Sequence, residues 1–516
     1  LIFREGPTLR RFAPAIGLLG IGLLVAAGRP MSCQQLPWWA AAGILYCVLC
    51  WLVLGYLADD EERLPALEAA FRPPRLLPLL VVLPLAGVTW FQTSGNRFRT
   101  AGVLCWIAAV AAWVWAWKPR PESKIQIRRS PDALAPALGA RQKDRPESKV
   151  GAGVLATLLL IIGLGAFLYF HRLAQTPGEP TSDHAETLLD LTDLLRGERP
   201  IFFIRNTGRE PWKFYWLFVL VKIFGLRPDF LTTKVGTVTT ALFAIPAMFL
   251  LGREIGGDRL GLFAAALLSW SKWPLAMARL GIRVSYAVLP TAMVLWALLR
   301  YLRRGDRGSA LWAGLWIGIG LYGYIPFRIV PLLVPLAALL ALIDPRWRSR
   351  RRRLVVDVPL IGATASLVFL PLLHYAREYP QFFWERMAER GSLSQIFSRE
   401  ALATLAENLR NMALAFHVRG DGGWVNFVTR DPFLDIVTGA LFIAGIALAL
   451  SRIFRGSIRW AVAVAGIVIL TLPSILILSF AHENPSVNRS VAAIPAVFLL
   501  AASPLDRLVG WLQPLR

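Results

Sequence analysis

Four short polar stretches stand out in a chain otherwise dominated by apolar runs. The first is Thr181-Ser-Asp-His-Ala-Glu186, which follows one apolar run and opens an amphipathic one. A carboxylate at Asp183 can take a proton from a hydroxyl nucleophile. The purely structural alternative is that Thr181, Ser182 or Asp183 caps the next helix. The second stretch, Arg205-Asn-Thr-Gly-Arg-Glu-Pro-Trp212, puts Arg209 and Glu210 on a turn made by Gly208 and Pro211. Glu210 either pairs with Arg209 or a neighbouring loop, or orients a hydroxyl. The third is Lys272-Trp-Pro-Leu-Ala-Met-Ala-Arg279 followed by Arg283, with Arg328 in Tyr322-Gly-Tyr-Ile-Pro-Phe-Arg328 at the next comparable turn. These cations can hold a phosphate by charge-assisted hydrogen bonds, or simply snorkel to a membrane interface. The fourth, Ala481-His-Glu-Asn-Pro-Ser-Val-Asn-Arg489, presents His482, Glu483 and Arg489 on one short turn. His482 has no second His at ligand spacing, and neither HExxH nor Walker A occurs.

The elements that position these groups are membrane helices. Of 516 residues, 56% are hydrophobic and 17% charged, with mean hydropathy +0.52. A soluble fold of this size does not conceal so many long apolar runs. Strict alternation is absent, so helices rather than a closed barrel are expected. Fourteen candidate spans fall at about 12–28, 38–58, 76–92, 100–117, 151–171, 231–251, 258–272, 285–301, 309–324, 327–343, 354–373, 434–451, 460–480 and 489–504. The first residue is Leu, and no cleavable leader is evident in the first run. Cys47 and Cys50 form a CxxC inside an apolar stretch with no partner pair, which favours buried thiols over a metal site.

The net charge of +23 is placed as the positive-inside rule places it, which argues against nucleic-acid binding. Segment 117–149 carries nine basic residues against four acidic ones, and Arg300 to Arg304, Arg350 to Arg353, and Arg452, Arg455 and Arg459 are further basic turns. Segments 172–230 (eight basic, eight acidic) and 373–435 (seven basic, eight acidic) lack that excess and are expected outside. Parity closes, with both ends of the chain cytoplasmic, if the aromatic-rich stretch 212–226 lies in the outer interface without crossing. Upstream, Glu186, Asp190 and Asp193 make an acidic stripe opposite Leu188, Leu191 and Leu195, as on a surface helix. The expected division is a four-helix membrane extension at 1–117, a charged cytoplasmic linker at 118–150, a membrane domain at 151–505 with outer loops 172–230 and 373–433, and a cytoplasmic tail at 506–516. In the second loop Gln381, Phe382, Phe383 and Trp384 can pack on the membrane or cover a cavity, and Gly420, Gly422 and Gly423 suggest a movable turn.

In this order the four stretches resemble the membrane-embedded GT-C glycosyltransferases, nearest the glycosyltransferase 39 or RgtA/B/C/D-like family, relatives of protein O-mannosyltransferases and of the aminoarabinose transferase of lipid A. The resemblance covers about 151–505. It is strongest over 180–305, where Gly208-Arg-Glu-Pro211, Leu251-Gly-Arg-Glu-Ile-Gly256 and Arg279-Leu-Gly-Ile-Arg283 follow the acidic motif. It implies an all-α GT-C fold of about fourteen transmembrane helices plus outer juxtamembrane helices, in a prokaryotic-type cytoplasmic membrane. The implied reaction, on the outer face, moves a sugar from a polyprenyl-phosphate donor to a hydroxyl acceptor with inversion. Asp183 takes the role of base or acceptor-orienting group, supported by His184, Glu186 and Glu210. The family usually has Asp-Glu where this chain has Asp183-His184. Arg279, Arg283 and Arg328, with Lys272 and Arg489 behind them, are the implied phosphate ligands, and His482 and Glu483 are outer-turn candidates. The partners implied are the lipid-linked donor, a hydroxyl acceptor and membrane lipids. No cofactor is expected, and a divalent metal is possible but not indicated. A transporter or flippase is the rival reading, but neither paired internal repeats nor a midplane relay is visible, since Asp357 lies near the inner end of its helix. A noncatalytic assembly subunit is a third.

Overall fold

The computed structural model describes residues 73–118, 150–390 and 398–512, with isolated helical positions between 17 and 52. The expected spans at 12–28 and 38–58, most of the linker 118–150, Cys33 and Cys50 lie largely or wholly outside the described residues. Cys47 is buried, in a cluster with Ala444 and Leu448.

Two helices, α1 (Leu76–Gln92) and α2 (Thr100–Trp117), form a hairpin. A long apolar helix, α3 (Ala152–Phe170), follows. Next come the amphipathic α4 (Ser182–Leu195) and the short α5 (Trp212–Lys222). The bundle is then built from α6 (Phe230–Gly256), α7 (Asp258–Trp270), α8 (Lys272–Arg279), α9 (Val288–Arg304), α10 (Arg307–Gly320), α11 (Leu333–Ile343) and α12 (Arg351–Val368). A peripheral set, α13 (Leu370–Glu378), α14 (Pro380–Arg390) and α15 (Arg399–Ala415), precedes the last three helices, α16 (Ile436–Phe454), α17 (Ile458–Ile475) and α18 (Ile494–Leu512).

Among the described residues eight helices are long and apolar enough to cross a bilayer, or ten if each of two bent pairs is one span. The bends fall between α7 and α8 (52°) and between α12 and α13 (72°). In the second pair Pro371 cannot continue the hydrogen-bond ladder. At 14 residues α10 is shorter than the ~20 residues a perpendicular span needs. α5 has 11 residues, about 16 Å at 1.5 Å per residue, and is too short to cross. Leucines on α1 and α3 (Leu77, Leu80, Leu83, Leu160) are exposed, as on surfaces that face lipid chains, whereas α18 is buried almost throughout.

Basic turns converge at one end of the bundle. Arg350 donates to the Arg303 carbonyl (3.4 Å), Arg353 to Gly305 O (3.3 Å) and Arg459 to Glu254 O (3.0 Å). Asp357 belongs to this end, accepting from Tyr301 Oη (2.9 Å) with Arg307 at 3.8 Å. The N-termini of α4, α6 and the 3-10 turn Arg283–Ala287 that leads into α9 lie at the opposite end, where the polar stretches meet.

Candidate active site

Thr181 takes the N-cap position of α4, and His184 three residues on completes a capping box. His184 Nδ1 accepts from the Thr181 amide (2.9 Å), while Nε2 sits 2.7 Å from Leu280 O. The two bonds are compatible with one neutral tautomer, Nε2–H donating. Burial lowers the ring's proton affinity and favours that form. His184 therefore fastens the start of α4 to the segment that ends in Arg283 instead of lining the cavity. Gly281 permits the approach: its φ is +76°, and a Cβ there would lie 2.8 Å from Thr233 Oγ1.

With the cap supplied by its neighbours, Asp183 is free to face a cavity of ≈ 1160 Å³. Its walls are also formed by Arg283, Tyr324, Arg328, Arg386, Arg489 and His482, with Glu483, Asp421 and Arg430 further round. Ile282, Ile325, Ile329, Pro473, Leu476 and Ile477 supply an apolar side. Burial works against the charge on Asp183, but the fields of Arg283, Arg386, Lys213 and Arg209 outweigh it and hold the carboxyl below its ordinary value. The first turn of α4 adds to the same preference for an anion.

The turn 205–208 places Asn206 Nδ2 on Asp183 Oδ1. Positive φ at Asn206, Thr207 and Gly208 folds it back, so that Phe203 and Arg209 exchange both backbone hydrogen bonds (3.0 and 2.7 Å). Its carbonyls face two cations: Arg386 Nη1 donates to Asn206 O (3.1 Å) and Arg283 Nη1 to Gly208 O (3.3 Å). Arg283 is buried and its guanidinium lies 5.9 Å from the Tyr324 ring centre. Beneath the turn, Arg209 binds Asp190, and Arg205 bridges Asp190 and Asp193 (2.6 Å each). The acidic stripe of α4 is thus covered by loop arginines and is not a solvated face. Behind it, burial pushes the Lys213 ammonium down to about 7, with Nζ donating to Thr187 Oγ1 (3.1 Å).

The remaining sequence candidates take distinct positions. Glu210 is buried and accepts from Arg328 Nη2 (3.2 Å), so it neutralises one cavity cation from behind, and its second oxygen has no hydrogen-bond partner. Glu186 reaches only to 3.7 Å from Arg209 and does not line the cavity. Lys272 is paired with Asp431 (2.5 Å) and lies outside the cavity wall. Arg279 is outside as well: it donates to Leu168 O (2.8 Å) and Tyr169 O (3.1 Å) at the end of α3 and to Thr176 O (3.1 Å) in the turn beyond. Arg489 pairs with Glu483 while its Nη1 is a buried donor without a partner. His482 is exposed at the rim. Asp421 accepts from Gly423 N (2.7 Å) and Val487 N (2.9 Å), which ties loop 420–431 to the turn carrying Arg489.

Arg386 and Asn206 escaped the sequence reading. Arg386 sits on α14 two residues after Trp384, inside a charge-balanced loop, and burial pushes its guanidinium down to about 10. Among the described residues no group of three or more His, Cys, Asp or Glu is placed to hold a metal ion.

No protein-family model matches the chain, and no curated protein matches it. Solved structures do. An archaeal oligosaccharyltransferase, AglB from Archaeoglobus fulgidus in complex with an inhibitory peptide and a dolichol-phosphate, aligns at 14% identity with TM-score 0.43, over 68% of this chain and 50% of that one. The Archaeoglobus fulgidus oligosaccharyltransferase with Zn and sulfate aligns at 15% identity and TM-score 0.45, over 70% and 49%. ArnT from Cupriavidus metallidurans bound to undecaprenyl phosphate aligns at 16% identity and TM-score 0.42, over 69% and 59%. The chain spans about half the length of these proteins.

Proposed function

We propose that this membrane protein transfers a sugar from a polyprenyl-phosphate donor to a hydroxyl acceptor on the outer face of a prokaryotic-type cytoplasmic membrane. One observation carries the reading: Asp183, whose charge is favoured by Arg283 and Arg386, lines one cavity together with these two cations and an apolar wall. A lipid phosphate needs those two surfaces together, cations for the head and hydrocarbon for the chain. In the reaction the acceptor oxygen attacks the anomeric carbon and its proton passes to Asp183. The bond between that carbon and the phosphate oxygen breaks, and polyprenyl phosphate leaves. Arg283 and Arg386, with Arg489 at the far side, stabilise the charge that grows on the leaving phosphate. Arg328 is balanced by Glu210 and serves the wall. His184 and Glu210 act as supports. The assignment of the cavity to the outer side rests on the basic turns gathered at the opposite end.

The test compares envelope lipids and glycans by mass spectrometry in cells with the gene, without it, and with Asp183→Asn. A mass increment of one sugar on an acceptor, lost in the deletion and in the variant while the variant still binds undecaprenyl phosphate in nanodiscs, is expected. Wild-type behaviour of the variant would overturn the role of Asp183 and favour transport or scaffolding.

A further inference from the structure

We infer that Asn96, in the turn between α1 and α2, is a positioning residue for Asp183, and that the hairpin 76–117 is part of the frame of the site. This inference rests on the reading of Asp183 given above. Asn96 adopts φ +55°, a conformation that Asn tolerates better than most residues. Its side chain then makes a two-sided clamp on a segment more than a hundred positions later. Oδ1 accepts from the amides of Ile201 (3.1 Å) and Phe202 (2.8 Å), and Nδ2 donates to Phe202 O (2.8 Å). Phe98 N adds a bond to Arg199 O (2.7 Å).

The clamped segment leads directly into the turn that organises the cavity. Phe203 is locked to Arg209, and the intervening residues carry Asn206 onto Asp183 and offer carbonyls to Arg386 and Arg283. Phe202 is held from the other side by Tyr375 and Phe383 (ring centres 4.9 and 5.5 Å away). The hairpin is itself anchored to the bundle. Thr93 Oγ1 lies 3.0 Å from His374 Nδ1, and Gly95 N donates to Glu378 (3.1 Å). Trp106 Nε1 donates to Leu367 O (3.1 Å), and Trp113 Nε1 to Thr364 Oγ1 (2.8 Å). Asn96 is therefore the joint through which a rigid hairpin fixes the height of the 205–208 turn against α4.

The experiment is hydrogen exchange on the full-length protein in nanodiscs, comparing wild type, Asn96→Ala, Asn96→Asp and, as control, Arg99→Ala, whose exposed side chain donates to Gln92 O (3.2 Å) within the hairpin. In Asn96→Ala the amides of 201–209 should exchange at least roughly tenfold faster, while α9 and α18 keep their protection. Asn96→Asp retains the acceptor for the two amides but sets its second oxygen against Phe202 O, so it should return only part of that protection; it also serves if the alanine variant does not fold. Arg99→Ala should match wild type. With donor and acceptor in hand, kcat should fall with KM for the lipid donor unchanged, and the acid limb of the pH profile should move upward as Asp183 loses Asn206 and the registered cations. Unchanged protection over 201–209 in Asn96→Ala would overturn the inference. If wild type shows no sugar transfer, the exchange result still decides whether Asn96 sets the turn, so the two failures are separable.

Discussion

Replacing Glu210 should be more damaging than replacing its partner Arg328, although the two share one ion pair. Their 3.2 Å contact is almost fully withdrawn from solvent, with side-chain exposures of 0% for Glu210 and 12% for Arg328. At an effective dielectric of about 20, unit charges 4 Å apart attract by about 4 kcal/mol. Taking away Glu210 leaves Arg328 uncompensated and also removes a charge that offsets Arg283. Glu210→Leu should therefore cost about 3–5 kcal/mol, the range for an orphaned buried charge. Taking away Arg328 leaves Glu210 facing Arg283, so Arg328→Met should cost less, about 1–3 kcal/mol, some of it the lost stacking of the guanidinium on Phe383 (3.9 Å). The double variant leaves no Arg328 charge orphaned and should lose less than the sum of the two single variants, giving a coupling energy of about 2 kcal/mol or more. Reversible unfolding in mixed micelles, run as a double-mutant cycle, measures it. Additive losses, within about 0.5 kcal/mol, would refute the reasoning.

Other outcomes follow from the same geometry. Arg386→Ala should weaken undecaprenyl phosphate binding about tenfold or more, the effect of losing a charge-assisted bond, whereas Arg279→Ala should leave affinity unchanged, because Arg279 is spent on the carbonyls of Leu168, Tyr169 and Thr176; a binding isotherm in nanodiscs separates them. Gly208→Ala should lower stability by about 1–3 kcal/mol and abolish transfer, since φ is +90° and the new Cβ would meet the Phe202 ring at 2.6 Å. Lys213 binds its proton with a value near 7 in the folded protein against 10.5 ordinarily, so between those values the unfolded chain holds the extra proton. Stability should then rise with pH through that window and be fully penalised below it, a slope that Lys213→Met removes and that unfolding midpoints across the window detect.

Much of the bundle could be read from apolar runs alone, because a span declares itself within twenty consecutive residues: 100–117, 152–170 and 436–454 emerge with nearly the expected bounds. The 212–226 stretch, with Lys at both ends and a short apolar length, reads as a short interfacial helix, and the structure has an 11-residue helix there, Trp212–Lys222. The site was legible only where a residue's neighbours in sequence are its neighbours in space. Asp183 and His184 share a helix start, and the cap is local. Lys272 and Arg279 look equivalent to Arg283 in the chain, but each is claimed by a remote partner, Asp431 in one case and the end of α3 in the other. Arg386 carried no local signal, because its importance comes from a loop folding over the cavity. Asn96 and Asn206 act through single amide groups reaching across long separations, for which spacing offers no pattern.

The central claim is that a lipid phosphate sits between Arg283 and Arg386 within reach of Asp183. The most direct measurement is a cryo-EM map of the protein in nanodiscs with undecaprenyl phosphate. The account predicts phosphate density within hydrogen-bond distance of Arg283 and Arg386, with the prenyl chain leaving along Ile325, Ile329 and Leu476. Density at Lys272 and Arg279 instead, with the cavity beside Asp183 bare, would contradict it.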